Sequence, residues 1–296
     1  MEIRRLTQND FYELRNLLDG VFSRHNGRNV QFAQGFPRLF GEANSYAAQS
    51  HLGAFIDGKL VGTAAMYPLD YVVGDKHIRL IANGNIAVDE AYRGQGVMSA
   101  LLEAVNAETD KCGDVGYLHG DAVRYGRVGY VAGGVEYRLT VQPGEETTYT
   151  FRPAVEEDVP SLNKLWQQKT DYILREDGDF LSALRSGGRE AVAVLDQHGA
   201  LVGYVSLHRV NGHVEEYAFC GGLEPEIFPQ IARDLGRTVT VTVSGYDPAA
   251  AERCKAVAEI KQRYPALFRI IHPEVLQEAA LALGLDEAVY YAPYLT

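Results

Sequence analysis

A glycine-containing segment, Arg93-Gly94-Gln95-Gly96, lies between a predicted strand that ends near Val88 and a predicted helix from Met98 to Thr109. Glycine lets the backbone come close to a ligand. The first amides of a helix have no acceptor within the helix, and the helix dipole places partial positive charge there. A strand, a glycine turn and a helix start therefore predict an anion site that suits a pyrophosphate.

Two common phosphate-binding motifs are missing from this segment. No Gly-Lys-Ser or Gly-Lys-Thr follows the loop, so it is not a Walker loop. The dinucleotide pattern GxGxxG is also absent. Since many strand-to-helix turns contain glycine, the pattern alone leaves both a tight turn and a ligand site open.

The elements around the loop belong to a chain that repeats itself once. A strand-helix opening from Ile3 to Leu18 recurs from Phe151 to Trp166. A hairpin from Ala54 to Gly62 recurs, with a longer turn, from Ala193 to Gly203. Two similar hairpins can arise by chance, but a matching opening followed by a matching hairpin indicates two domains of like fold.

We place the domain boundary near Gly144 to Thr150, which gives domains of residues 1–145 and 146–296. Strands interrupted by helices predict an α/β or α+β fold in each domain. In the second domain, the pattern predicts a strand from Thr238 to Val243 and amphipathic helices from Ala249 to Arg263 and from Pro273 to Leu283.

The composition limits the class of protein. Hydrophobic residues make up 46% and charged residues 23% of the 296 residues, which is ordinary for a chain with buried cores. The net charge of −11 argues against a nucleic-acid partner, which needs a basic surface, and suits a cationic substrate, although it also serves solubility. No apolar run is long enough for a signal peptide or a membrane span.

The three cysteines, Cys112, Cys220 and Cys254, are odd in number and have no CxxC spacing. This argues against a disulfide framework or a zinc site and favours reduced thiols in a cytoplasmic protein. We therefore expect no metal cofactor.

The loop resembles motif A of the GNAT acetyltransferases, which reads Arg or Gln, two residues, Gly, one residue, then Gly or Ala. Arg93 and Gly96 match, whereas Met98 replaces the final small residue, as a larger residue often does in the subgroup that resembles the mycobacterial enhanced intracellular survival (Eis) proteins. The resemblance implies acetyl-coenzyme A as cosubstrate, with the pyrophosphate on the loop amides and the pantetheine arm along the preceding strand. The implied cofactor-binding residues are Ile86, Ala87, Val88, Arg93, Gly94, Gln95, Gly96, Val97, Met98 and Ser99.

A second segment, Tyr125-Gly126-Arg127-Val128-Gly129-Tyr130, resembles the late motif of the same family. The resemblance implies that Tyr125 is the general acid that protonates the departing coenzyme A thiolate, whose basicity is comparable to that of a phenol. His119 and Asp121, which follow the next predicted strand, are candidates for the general base, and a water chain is an alternative. In the Eis-like subgroup the C-terminal carboxylate, here that of Thr296, is implied to reach the active site.

The resemblance covers residues 1 to about 140 well and residues 151 to about 245 in outline. It implies tandem GNAT-like domains, each a mixed, mostly antiparallel sheet flanked by helices. The segment of the second repeat from Gly221 to Phe228 has no arginine, and Glu224 and Glu226 would repel a pyrophosphate, so we expect coenzyme A in the first domain only. Eis-like proteins carry a third domain, for which this chain leaves room for a shortened version at most.

The leading hypothesis is therefore an N-acetyltransferase for a primary amine of a small cationic or peptidic acceptor. The rival is a non-catalytic acyl-coenzyme A sensor whose second domain docks a partner, and an aminoacyltransferase of tandem architecture is a weaker alternative. The segment from Asn26 to Ala47, rich in polar and aromatic residues, is expected to line the acceptor cleft. We expect no membrane partner, and the sequence leaves a homo-oligomer open.

Overall fold

The computed structural model describes residues 1–264 and 266–282. The strands, in chain order, are β1 (Glu2–Arg5), β2 (His51–Ile56), β3 (Lys59–Val73), β4 (Lys76–Val88), β5 (Val115–Leu118), β6 (Val131–Gly133), β7 (Glu136–Val141), β8 (Thr150–Pro153), β9 (Asp171–Ile173), β10 (Glu190–Leu195), β11 (Leu201–His208), β12 (His213–Phe219), β13 (Val239–Ser244), β14 (Ala258–Arg263) and β15 (Ala266–Ile270). The α-helices are α1 (Phe11–Asn26), α2 (Phe32–Gly35), α3 (Pro37–Phe40), α4 (Val97–Cys112), α5 (Ala122–Gly126), α6 (Val159–Trp166), α7 (Asp177–Leu184), α8 (Glu224–Asp234), α9 (Pro248–Arg253) and α10 (Pro273–Ala282). Within the two described ranges, every helix is too short or too polar to span a bilayer.

The strands of the described residues form two mixed, mostly antiparallel sheets flanked by helices. The first sheet has the order β1-β2-β3-β4-β5-β15-β6, with β9 paired to β3, and the second has the order β14-β7-β13-β12-β11-β10-β8. Strand β4 runs parallel to β5, and β12 runs parallel to β13. The predicted fold class, α/β (α+β) with two GNAT-like sheets, is confirmed.

The described residues divide into two compact units that exchange strands. The first unit contains residues 1–70, 78–132 and 266–273, and the second contains residues 71–77, 133–264 and 274–282. Strand β7 pairs with β13 and β14 in the second sheet, whereas β15 pairs with β5 in the first. Each unit is therefore built from separate stretches of the chain, and the domain boundary near residue 145 stays a prediction.

The same ion pair stands at the start of each sequence repeat. In the first unit, the Arg4 guanidinium donates to both carboxylate oxygens of Asp10, at 2.9 and 2.8 Å. In the second unit, Arg152 donates in the same way to Asp158, at 2.6 and 2.7 Å. The spacing of six residues is identical, so the strand-helix opening recurs in three dimensions as well as in the sequence.

The predicted helix from Ala249 to Arg263 is wrong. The chain forms the short helix α9 and then strand β14, which pairs antiparallel with β7 along its whole length. The physical reason is an alternation that the helical reading overlooked: Ala258 and Ile260 pack against the core, while Glu259 and Lys261 are exposed charges on the outer face. The edge of the second sheet offers these residues backbone partners that a local pattern cannot reveal.

In the first unit, helices cover both faces of the sheet. Helix α4 packs on one face, where Leu101 and Val105 join an apolar cluster with residues of β2, β3 and β4. Helix α1 packs on the other face, where Leu14 and Leu18 join a cluster with α2 and α3. These are called the α4 face and the α1 face below.

Candidate active site

The turn that follows β4 is held by the carboxylate of Asp89. This carboxylate accepts a hydrogen bond from the Ala91 amide at 3.1 Å and one from Lys59 Nζ at 3.2 Å. The Asp89 amide donates to the Val61 carbonyl oxygen at 2.8 Å. The backbone hydrogen bond from Ala91, and then Lys59, lower the pKa of Asp89. These three hydrogen bonds fix the path of the backbone between the end of β4 and the predicted anion loop.

The loop itself has the backbone that a close anion contact requires. Gly94 and Gly96 have φ angles of 76° and 79°, in the left-handed region that favours glycine. The first hydrogen bond of α4 runs from the Ala100 amide to the Gly96 carbonyl oxygen at 3.1 Å. The amides of residues 97–99 therefore have no acceptor within the helix, and they lie at the positive end of its dipole.

The side chain of Arg93 lies beside this helix start and is 54% exposed. Its Nη1 is 4.0 Å from Glu90 Oε1, a distance at which an exposed ion pair contributes little. Gln95 instead supports the turn, since its Nε2 donates to the Ala91 carbonyl oxygen at 3.3 Å. Arg93 is therefore available to add a charge-assisted contact to an anion on the loop.

Strands β4 and β5 are paired over a short distance only. Their ladder joins Leu80 with Val115, Ile81 with Gly116 and Ala82 with Tyr117, and β4 then continues to Val88. Residues 83–88 thus lie beyond the end of this ladder and lead directly into the anion loop. A strand edge of this kind offers N–H and C=O groups to an extended ligand.

Within residues 83–88, the side chains of β4 do not alternate regularly between the two faces of the sheet. Asn83 Nδ2 contacts Thr109 Oγ1 of α4 at 3.4 Å, on the α4 face. Asn85 Nδ2 lies 3.4 Å from Nε2 of His51, whose ring contacts Phe40 on the α1 face. Residues two apart in a regular strand share a face, so the alternation is broken between them. Asn85 has a φ of 49°, a left-handed conformation that asparagine tolerates better than most residues.

Tyr125 lies in α5 and is 7% exposed. Its apolar cluster includes Leu102, Leu118, Tyr130 and Leu267, with Ile86, Met98 and Val128 packed against it. The structure therefore brings Tyr125 together with Ile86 and Met98, two of the predicted cofactor-binding residues. Burial raises the pKa of the Tyr125 phenol, and the neighbouring Arg124 opposes that rise.

The base candidates have other partners as well. His119 is exposed, and its Nε2 is 2.5 Å from the Tyr117 hydroxyl. The Asp121 carboxylate accepts from the Arg124 amide at 2.7 Å and so caps the start of α5. Thr296, the third candidate, lies outside the described residues.

Three residues that the sequence reasoning missed form a polar group on the α1 face, namely His51, Tyr67 and Asn85. The signal in the sequence was Asn83-Gly84-Asn85, a polar, glycine-containing triplet inside an otherwise apolar strand. Asparagine and glycine are depleted in strands and mark bulges, so the triplet marks a place where β4 departs from regular geometry.

Comparison with known proteins agrees with this geometry. Residues 2–133 match the sequence profile of a family described as an acetyltransferase (GNAT) domain. The chain carries a GNAT acetyltransferase domain. The predicted family and enzyme class are thereby confirmed. A search of curated proteins found no match.

Solved structures of similar fold cover nearly the whole chain. A probable N-acyltransferase from Enterococcus faecalis has a TM-score of 0.68 at 15% identity, and the match covers 94% of this chain and 74% of that one. A GCN5-related N-acetyltransferase from Kribbella flavida has a TM-score of 0.64 at 17% identity, with 93% and 73% covered. Eis1 from Mycobacterium abscessus has a TM-score of 0.55 at 16% identity, with 94% and 76% covered. At these identities the likeness shows the fold.

The second unit has a buried carboxylate at the corresponding helix start. Strand β12 leads through Gly221 and Gly222 into α8, whose first residue, Glu224, is 4% exposed. Arg253 donates to both carboxylate oxygens of Glu224, at 3.1 and 2.8 Å. The first turn of α8 thus carries two carboxylates, Glu224 and Glu226, whereas the first turn of α4 carries none. This supports the expectation that coenzyme A binds to the first unit only.

Proposed function

We propose that this GNAT protein transfers the acetyl group of acetyl-coenzyme A to a primary amine of a small cationic or peptidic acceptor. The observation that carries the proposal is the continuity of two features. The backbone of residues 83–88 lies beyond the β4–β5 ladder, and it leads directly into the anion loop at the start of α4. An extended chain with two amide groups and a pyrophosphate at its end matches that arrangement.

In this proposal, the pantetheine arm lies along residues 86–88 and makes strand-like hydrogen bonds with their backbone. The pyrophosphate binds the amides at the start of α4, and Arg93 adds a charge-assisted contact. Val97 is buried, so it anchors the helix start, whereas Gly94, Gln95 and Gly96 are exposed and accessible to a ligand. Holding the thioester and the amine together in one site accounts for a large part of the rate enhancement.

In this arrangement the thioester carbonyl lies at the Ile86 end of that stretch, and Tyr125 lies near the sulfur. A backbone amide of the strand would polarise the carbonyl. The phenol of Tyr125 would protonate the departing thiolate. Burial raises the pKa of this phenol, so the acid form is the one present at neutral pH. The cluster that Tyr125 shares with Ile86 and Met98 supports this placement.

The net charge supports a cationic acceptor. The chain has a formal net charge of −11, which favours the approach of a cation over that of an anion. Polyamines, aminoglycosides and lysine side chains are acceptors of this chemistry.

The test is incubation of the purified protein with acetyl-coenzyme A and a mixed amine library, with mass spectrometry of the products. We expect a mass gain of one acetyl group on at least one cationic amine and release of free coenzyme A. Calorimetric binding of coenzyme A without turnover across the library would overturn the proposal and favour the acyl-coenzyme A sensor. Failure to bind coenzyme A at all would exclude both.

A further inference from the structure

The polar group on the α1 face joins three neighbouring strands of the first sheet. His51 begins β2, Tyr67 lies in β3 and Asn85 lies in β4. Asn85 Nδ2 donates to the Tyr67 hydroxyl oxygen at 2.8 Å, and the Tyr67 hydroxyl lies 3.5 Å from His51 Nε2. The group is therefore a connected network rather than three separate side chains.

The tautomer of His51 follows from its other contact. His51 Nδ1 is 2.9 Å from the Ala47 carbonyl oxygen, which can only accept, so Nδ1 carries the proton. Nε2 is then a bare acceptor, and it faces the Tyr67 hydroxyl and the Asn85 amide nitrogen. Because burial lowers the pKa of His51 to about 4, the imidazole is neutral at physiological pH and keeps this acceptor role.

These contacts fix the orientation of the Asn85 carboxamide. Its Nδ2 donates towards Tyr67 and lies 3.4 Å from His51 Nε2, so the nitrogen side of the amide is committed to the network. Oδ1 is on the other side of the same planar group and accepts hydrogen bonds only. The network therefore leaves an acceptor oxygen in a set direction.

The position of Asn85 links this oxygen to the proposed reaction. Asn85 lies three residues beyond Ala82, where the ladder with β5 ends, and one residue before the stretch that the pantetheine arm would follow. Its φ of 49° lies in the left-handed region, which asparagine adopts more readily than most residues other than glycine. The surrounding contacts hold Asn85 in place on the α1 face, where α2 and α3 of the predicted acceptor segment also pack.

We propose that Asn85 Oδ1 accepts a hydrogen bond from the nitrogen of the amine acceptor and so aims that nitrogen at the thioester, with Tyr67 and His51 as positioning residues. This inference rests on the proposed function. The contact suits an amine because its N–H donates and its lone pair stays free for attack. An uncharged amide holds the amine without stabilising its protonated, unreactive form as strongly as a carboxylate would.

The experiment compares Asn85→Gly with Asp57→Gly. Both wild-type residues have a left-handed backbone, with φ angles of 49° and 50°, so glycine relieves the same strain in each variant. Asp57 lies exposed in the turn between β2 and β3, outside the network. Steady-state kinetics with acetyl-coenzyme A and three probe amines, spermidine, kanamycin and a lysine peptide, give separate KM values for the two substrates.

We expect Asn85→Gly to lower kcat/KM for the amine roughly 10- to 100-fold, as the loss of one hydrogen bond to a charged or reacting group does. The KM for acetyl-coenzyme A should stay within about twofold of the wild-type value, and Asp57→Gly should match the wild type in both. Equal losses for both substrates, or no loss, would overturn the inference. Tyr67→Phe removes the hydroxyl that orients Asn85, and it should lower kcat/KM for the amine in the same selective way.

The two proposals fail in different ways. If the wild type acetylates none of the probe amines and none of the library, the proposed function has failed. If the wild type turns over an amine while folded Asn85→Gly and Tyr67→Phe both keep wild-type kcat/KM for it, only the role of Asn85 is wrong. Should Asn85→Gly fail to fold, as judged by circular dichroism, Tyr67→Phe alone decides.

Discussion

The ring of Tyr125 packs directly against the backbone of Gly120. A Cβ atom at Gly120 would lie 2.2 Å from Cε2 and 2.9 Å from Cδ2 of that ring, far inside van der Waals contact. Gly120 lies between β5 and α5 in the chain, and its lack of a side chain leaves room for the Tyr125 ring. Any residue larger than glycine at this point must move the ring.

Gly120→Ala should therefore displace Tyr125 while leaving the anion loop intact. We expect kcat to fall roughly tenfold or more, because a catalytic group that shifts by about 1 Å loses much of its effect. The dissociation constant of coenzyme A, measured by calorimetry, should stay within about twofold. Gly126→Ala is the matched control. Gly126 lies in α5 beside Tyr125, and its added Cβ would meet no atom within 4 Å. Equal kcat values for the two variants would contradict the prediction.

Tyr125→Phe tests the acid role itself. Removing the hydroxyl should lower kcat roughly 100-fold while coenzyme A affinity is kept, because general acid catalysis contributes about that much. Burial raises the pKa of this phenol above its ordinary value of ~10, so the acid form persists through neutral pH. The wild-type profile of kcat against pH should accordingly show no fall from loss of this acid below pH ~10. Wild-type kcat in the Phe variant would remove Tyr125 from the mechanism.

The anion loop can be tested with two glycines of matched backbone. Gly96 and Gly58 have φ angles of 79° and 78°, and an added Cβ meets no atom within 4 Å at either position. Alanine should therefore destabilise the fold similarly at both, by about 1–2 kcal/mol. We expect only Gly96→Ala to weaken coenzyme A binding, because only its loop is proposed to hold the pyrophosphate. Calorimetry with coenzyme A, beside urea unfolding of both variants, separates the two effects, and equal affinities would argue against the loop as the site.

Much of the fold was readable from local patterns. The strand predicted just before His119 is β5, and the predicted helix from Met98 to Thr109 lies within α4. The sequence did not predict that β7 joins the second sheet and β15 the first. The apolar pattern of a strand does not specify which of two similar sheets it pairs with. That choice depends on side chains far apart in sequence, such as Arg269, which donates to both carboxylate oxygens of Asp110 at 2.8 and 2.6 Å.

The candidate site was also predictable from the sequence only in part. The loop from Arg93 to Gly96 and Tyr125 carry motifs that a sequence displays directly. The network of His51, Tyr67 and Asn85 is spread over three strands, and none of its members stands in a motif. The only signal in the sequence was the polar triplet that ends in Asn85. Its significance is clear only from the structure, where the side chains of Asn83 and Asn85 lie on opposite faces of the sheet.

A buried carboxyl in the second unit gives the fold a dependence on pH. Asp171 is 1% exposed, and its Oδ2 accepts hydrogen bonds from the Tyr71 hydroxyl and the Ser244 hydroxyl, both at 2.7 Å. Burial is the largest influence on this group and raises its pKa to about 6, against the two hydrogen bonds, which lower it. In the unfolded chain the same carboxyl has a pKa of ~3.9.

Between these two pKa values the folded state binds more protons than the unfolded state, so the contribution of Asp171 to stability falls as the pH rises from about 4 to 6. Asp171→Asn cannot ionise and lacks this dependence. The free energy of unfolding of the Asn variant minus that of the wild type should therefore increase over this interval, by on the order of 2 kcal/mol. Urea unfolding of both proteins at pH 4, 5, 6 and 7 measures the difference at each pH. Any constant effect of the new amide cancels in the slope. A difference that stays flat across the series would therefore show that folding does not raise the pKa of Asp171.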